Sequence, residues 1–173
     1  MEGAGGGGLT PHLRAGAIAG IAALAIDQAS KLWLLFVFDI ARHGRVRITP
    51  FFDLDLAWNV GISFGWFQND SFFAQAILTA VKAAAVIALA VWMAWSRTML
   101  ATISLGLIIG GAIGNAIDRL AYGAVVDFAR FHIEIAGKSY DWYVFNLADV
   151  AIVAGVAALL YDSLLGVPAA KAP

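Results

Sequence analysis

A polytopic, mainly α-helical membrane protein is the fold this sequence predicts, with four transmembrane helices and a small extramembrane β-sheet on one face of the bilayer. Three observations carry the prediction. Of 173 residues, 61% are hydrophobic and only 13% charged, with a mean hydropathy of +0.81, which leaves too little polar surface for a soluble domain of this length. Four runs are apolar enough to cross roughly 30 Å of hydrocarbon, which takes about twenty residues each. Two segments outside those runs alternate apolar and polar side chains with the period of a strand.

In chain order, residues 1–8 contain five glycines and can bury nothing. Residues 1–12 and 166–173 are therefore expected to be flexible tails on a single integral-membrane domain. The first span covers 15–38 and is interrupted by the polar DQASK at 27–31. Arg14 ahead of an apolar 15–26 also fits a signal peptide, but no small-residue cleavage site follows and LWLLFVF resumes the run, so a retained span is the better reading. The second span is Phe72–Trp95, with Lys82 near its middle, the third 99–117 and the fourth Leu147–Leu165. Four crossings put both termini on one side. Gly106, Gly110 and Gly114 form a doubled GxxxG on the third span, with Gly111 beside it, a face suited to close helix packing. In Phe52–Asn59 the apolar Phe52, Leu54, Leu56 and Trp58 interleave with Asp53, Asp55, Ala57 and Asn59. In 131–143, Phe131, Ile133 and Ile135 alternate before a turn at Gly137. Both segments flank spans on the same side, where a sheet would turn its apolar face to lipid or to a lipidated ligand.

Composition also removes function classes. A formal net charge of -1, with 11 Lys plus Arg scattered singly, gives no basic stripe for nucleic acid. There is no cysteine, and His12, His43 and His132 are far apart without HExxH spacing, so no metal site is expected. The remaining chemistry belongs to carboxylates, amides and hydroxyls, and no organic cofactor is called for.

Asp118, Asp127 and Asp149 lie at or beside the ends of apolar runs, where an ionisable group is expensive and its default reading is functional. Asn115, Asp118 and Arg119 stand at i, i+3 and i+4 on one helix face, and Asn146 and Asp149 repeat the i, i+3 spacing. Asp118 ends the third span and Asp149 begins the fourth, so both lie at one membrane face, and Asp127, expected in the loop beyond the third span, reaches them. Carboxylates this close cannot all ionise, so one proton is shared, as in the aspartic-protease pair. Arg119 is expected to neutralise its neighbour Asp118, leaving Asp127 and Asp149 as the pair, with structural support the better reading for Asp118 and Arg119 themselves. Asp27 and Lys31 read as a helical ion pair. Asn59, Gly61 and Ser63 read as an ordinary loop on chemistry alone, Lys82 as a snorkelling or bundle-facing cation, and Asp162 as solvated.

Four motifs, in order, carry a resemblance: DQASK at 27–31, FFDLDLAWNVGISFG at 51–65, GGAIGNAIDRLAYGAVVDF at 110–128 and FNLADVAI at 145–152. Together they make the chain similar to lipoprotein signal peptidase, or signal peptidase II, a bacterial inner-membrane aspartyl peptidase family. The resemblance implies that Asp127 and Asp149 are the catalytic pair. It implies that Asn59, Asn115, Arg119 and Asn146 line the site, and that Asp27, Lys31, Gly61, Asp118 and Ala148 support it. The implied substrates are prolipoproteins whose cysteine already bears a diacylglyceryl group, cut on the amino side of that cysteine. It further implies a monomer surrounded by membrane lipid, with both termini cytoplasmic and the sheet and acids near the periplasmic face. Ile62, Ser63 and the stretch 129–143 depart from the family pattern, which bears on substrate preference.

Charge counting points to the opposite orientation. Arg14, Arg97 and Lys171 lie on the side of the termini, against Arg42, Arg45, Arg47, Arg119, Arg130 and Lys138 on the other, so the positive-inside rule alone would place the termini outside. The orientation implied by the resemblance is preferred. The rival from another class is a small proton-coupled membrane carrier using the same acids. It is disfavoured because the acids cluster at one face and no inverted repeat is evident.

Overall fold

The computed structural model describes residues 10–61 and 72–165; the glycine-rich start, Ile62, Ser63 and residues 166–173 lie outside the described part. Helix α1 (Pro11–Leu32) opens on Thr10, whose hydroxyl accepts the Leu13 N–H, with Pro11 in the first turn, where a missing N–H does no harm. Pro11 and His12 are thus helical and not part of the expected tail. The helix continues through a π-helical turn (Trp33–Val37) and is broken at Asp39, which adopts a positive φ of 53° before the short α2 (Ile40–His43). Strands β1 (Val46–Thr49) and β2 (Phe52–Asn59) follow, then α3 (Phe72–Trp95), α4 (Met99–Tyr122), β3 (Val125–Ile135), β4 (Lys138–Asp141) and α5 (Leu147–Leu165).

Among the described residues three helices are long and apolar enough to cross a membrane: Pro11–Val37, Met99–Tyr122 and Leu147–Leu164. The second expected span, Phe72–Trp95, is helical, but its described apolar stretch Ala80–Trp95 is shorter than that length. The burial pattern is that of a protein dissolved in lipid. Apolar residues such as Ile21, Ile87 and Leu164 face outward, while Asp27, Lys31, Asn115, Asp118 and Asn146 are buried.

Helix α4 lies between α1 and α5, and its glycines are what allow this. A Cβ on Gly106 or Gly110 would collide with the backbone carbonyls of Gly16 and Gly20 on α1, while one on Gly111 would meet the Ala148 carbonyl on α5. Gly114 leaves room for the Asp27 carboxylate. The expected packing face is therefore real and serves two neighbours at once.

The four strands form one antiparallel sheet in the order β1-β2-β3-β4. Strand β3 starts six residues before the alternation visible in the sequence, because Val125 to Ala129 are buried throughout and so show no period of two. Asp127 therefore sits in a strand, opposite Ala57 of β2, and not in the loop where it was expected. The turn after β3 uses Ala136 and Gly137, both at positive φ. Leu34, Ile40, Phe128 and Ala129, flanked by Leu54, Leu56 and Phe145, form an apolar core that fastens the sheet to the end of α1.

Candidate active site

The site is built outward from a buried cation. Lys31, 1% exposed, lies 2.8 Å from Asp27 and 2.7 Å from Asp118, and donates to Asn115 Oδ1 at 3.2 Å. One ammonium thus faces two carboxylates and an amide, a pairing without which buried charges would be prohibitive. The expected Asp27–Lys31 pair is present, but the partner of Asp118 is Lys31 and not Arg119. The Arg119 guanidinium donates instead to the Asn115 carbonyl one turn back, at 3.2 Å. Helix direction explains the difference: Asp118 points inward to α1, while Arg119, one position on, is rotated toward the bundle's edge.

Both buried acids also accept backbone N–H groups and so position other elements. Asp27 Oδ1 accepts the Ala148 N–H at 2.9 Å, holding the start of α5, and Asp118 Oδ2 accepts the Val126 N–H at 3.1 Å, holding β3 next to Asp127. Gln28, which the sequence reading passed over although it lies inside the DQASK motif, donates to Asp27, to the Gly114 carbonyl and to Asp118. Its amide closes the gap between α1 and α4.

Above this core, amides orient two carboxylates. Asn115 Oδ1 accepts a hydrogen bond from the Lys31 ammonium, so its Nδ2 is turned to Asp149 Oδ1 at 2.9 Å. Asn146 Nδ2 donates to Asn115 Oδ1 at 3.0 Å and to Asp127 Oδ1 at 2.6 Å. Asn146 and Asp149 also form a reciprocal cap at the start of α5: the Asp149 N–H donates to Asn146 Oδ1 at 3.0 Å and the Asn146 N–H to Asp149 Oδ2 at 3.2 Å. Thus the i, i+3 spacing in FNLAD is a helix cap that also fixes Asp149. On the other side, Asn59 Nδ2 donates to Asp127 Oδ2 at 2.9 Å, while Asn59 Oδ1 accepts the N–H of Gly61, whose φ of 89° suits glycine.

Asp127 and Asp149 therefore come together around Asn146. They open, with Asn59, onto one groove of about 960 Å³. Its outer wall is Phe131, Tyr140, Trp142 and Tyr143 from the β3–β4 hairpin and the irregular segment that follows, and its floor is Val150, Val153 and Ala157 along α5. Burial pushes the Asp127 carboxyl above the usual range; the Asn59 hydrogen bond opposes this, and the nearby Asp149 adds to it. Arg119, expected to line the site, makes its hydrogen bond to the Asn115 carbonyl and none to Asp127 or Asp149 among the described residues; Ser63 lies outside the described residues, and Asp162 accepts the Thr98 hydroxyl at 2.9 Å, a tie between the start of α4 and the end of α5.

The chain matches the family described as Signal peptidase (SPase) II over residues 19–165. It is 73% identical to the lipoprotein signal peptidase of Nitrobacter hamburgensis over 165 residues, 95% of this chain and 100% of that protein. It is 68% identical to that of Rhodopseudomonas palustris over the same shares of each. Its fold is like that of a solved bacterial membrane enzyme, determined by the in meso method at 1.9 Å resolution, with a TM-score of 0.66, 24% identity and coverage of 88% of this chain and 94% of that chain. These relatives give the carrier reading no support. The chain belongs to the signal peptidase II family of aspartic-type proteases.

Proposed function

We propose that the chain removes signal peptides from diacylglyceryl-modified prolipoproteins, cutting on the amino side of the lipidated cysteine, with Asp127 and Asp149 as the catalytic pair. The observation that carries this reading is the amide frame: Asn59, Asn115 and Asn146 hold both carboxylates at the mouth of one apolar groove. Such a frame fixes the acids before substrate arrives. The pair shares one proton, with burial favouring its residence on Asp127.

In the reaction, a water held between the acids gives a proton to the ionised carboxylate and attacks the scissile carbonyl carbon, while the protonated acid gives its proton to the carbonyl oxygen. The tetrahedral intermediate collapses by breaking the C–N bond, and a proton passes to the leaving amine of the lipidated cysteine. The acyl chains anchor the substrate in the bilayer, so the bond arrives at the depth of the acids. One chain contains every group of this site, and we read the active unit as a monomer in membrane lipid.

We further read α3 as a fourth span, with both termini cytoplasmic and the sheet and acids toward the periplasm. The excess of basic residues on that side is offset by ion pairs within the sheet, Arg45 with Asp55 at 2.9 Å and Arg130 with Asp53 at 3.2 Å. Purified protein incubated with a diacylglyceryl prolipoprotein tests the reading. The expected product begins with the lipidated cysteine, and the unlipidated precursor stays uncut; equal cleavage of both would refute the substrate assignment.

A further inference from the structure

Asp53, one of the polar residues that alternate along β2, is only 1% exposed. It lies in a row of alternating charge that crosses the whole sheet. Arg47 of β1 is opposite Asp53 of β2, which is opposite Arg130 of β3. Arg47 Nε is 3.8 Å from Asp53 Oδ1, Arg130 Nη1 is 3.2 Å from Asp53 Oδ2, and Arg130 Nη2 reaches on to Asp141 Oδ1 of β4 at 2.5 Å. The ring of His132 closes on the same carboxylate, with Nδ1 3.3 Å from Asp53 Oδ2.

The row matters because of what hangs from it. Among the described residues strand β4 pairs with β3 alone, and all four of its residues are exposed. Yet the hairpin and the residues after it, from Phe131 through Tyr143, supply the outer wall of the groove, with Tyr140, Trp142 and Tyr143 largely uncovered. A two-stranded hairpin of this size does not hold its own position in water. Arg130 has the anchorage it lacks, since Asp53 is buried and Arg130 is itself mostly so. Arg130 also stands three residues from Asp127 on the same strand, so the wall and the acid share one support.

Resting on the reading of Asp127 and Asp149 as the pair, we infer that Arg130 is a positioning residue for substrate: seated on Asp53, it holds Asp141 and with it the aromatic wall across the groove from the acids. It touches neither acid and takes no part in the chemistry. The Arg130 guanidinium holds the Asp141 carboxyl below its usual range, which favours the charged form of the bridge.

Asp141→Asn is the informative variant, because it releases the wall and leaves the buried Asp53–Arg130 pair intact. On a diacylglyceryl prolipoprotein in mixed micelles, KM is expected to rise about two- to fivefold with kcat unchanged, the size of a half-exposed ion pair. Asp141→Glu should restore KM, and backbone hydrogen exchange over 131–143 should speed up in Asp141→Asn alone. An unchanged KM, or a fall in kcat without a change in KM, overturns the proposal, as does unaltered exchange in the hairpin. The exchange measurement needs no turnover, so it decides the role of Arg130 even where full activity in Asp127→Asn has refuted the acid pair.

Discussion

At the scale of residues, the balance of charges around Lys31 and Asp127 decides both stability and chemistry. Among the described residues Lys31 is the single cation within 3 Å of Asp27 and Asp118, so Lys31→Ala strands two buried carboxylates. Breaking one partner of a buried pair destabilises by about 3–5 kcal/mol, and the expected outcome is loss of folded protein in a detergent thermal melt. Asp127 behaves in the opposite sense. Its pKa is raised in the fold, so its protonated form is favoured: that contribution to stability is complete below the ordinary aspartate pKa and is lost as pH rises through the raised value. Activity that needs this proton declines over the same upper window. Asn59→Ala removes a hydrogen bond that lowers the Asp127 pKa, so the alkaline limb of kcat/KM should move to higher pH, and a limb that stays fixed would show that Asp127 is not the titrating acid. Sequence reading found the acids and amides here but chose the wrong cation for Asp118. Adjacency made Arg119 the obvious partner, whereas the true one lies on another helix, a contact that no spacing along the chain encodes.

Among elements, the α1–α4 contact sets the depth and register of everything polar. Gly16 and Gly20 meet Gly106 and Gly110 backbone to backbone, and further along the same two helices Lys31 meets Asp118. Gly106→Leu should therefore push α1 away and weaken the Lys31 cluster as well as the packing. Overpacking of this kind destabilises by about 1–3 kcal/mol, expected as a lower melting temperature together with reduced activity, and full activity at wild-type stability would show that the helices tolerate separation. The glycines of α4 were legible as a packing face because they recur every fourth residue. Those of α1, four apart in an otherwise ordinary apolar run, were not singled out. Strand β3 was placed too late for a related reason: Val125 to Ala129 are enclosed on both sides, and an apolar strand buried on both faces has no alternation to read.

For the molecule as a whole, the helices form an inverted interior in which ionic and amide groups are enclosed and apolar groups face lipid, and the sheet is seated on one end of it. The proposed topology predicts that an alkaline-phosphatase fusion after residue 165 is inactive and a fusion in the 96–98 turn is also inactive, since both lie on the cytoplasmic side; periplasmic activity of either would reverse the orientation. The mainly helical membrane architecture with a small sheet was visible in composition and in the apolar runs, three of which are helices long enough to cross a membrane among the described residues, while the groove was not, because its wall is assembled from β3, β4 and α5 through strand pairing and helix placement. The central claim is that two carboxylates, brought together by Asn146, cleave the lipidated precursor. Its most direct measurement is single-turnover cleavage of a diacylglyceryl prolipoprotein by wild type, Asp127→Asn and Asp149→Asn, with folding of each checked by its melt. Each substitution is predicted to slow cleavage by about 10²–10⁴-fold or more while the protein stays folded. Wild-type rates in either folded variant would contradict the account.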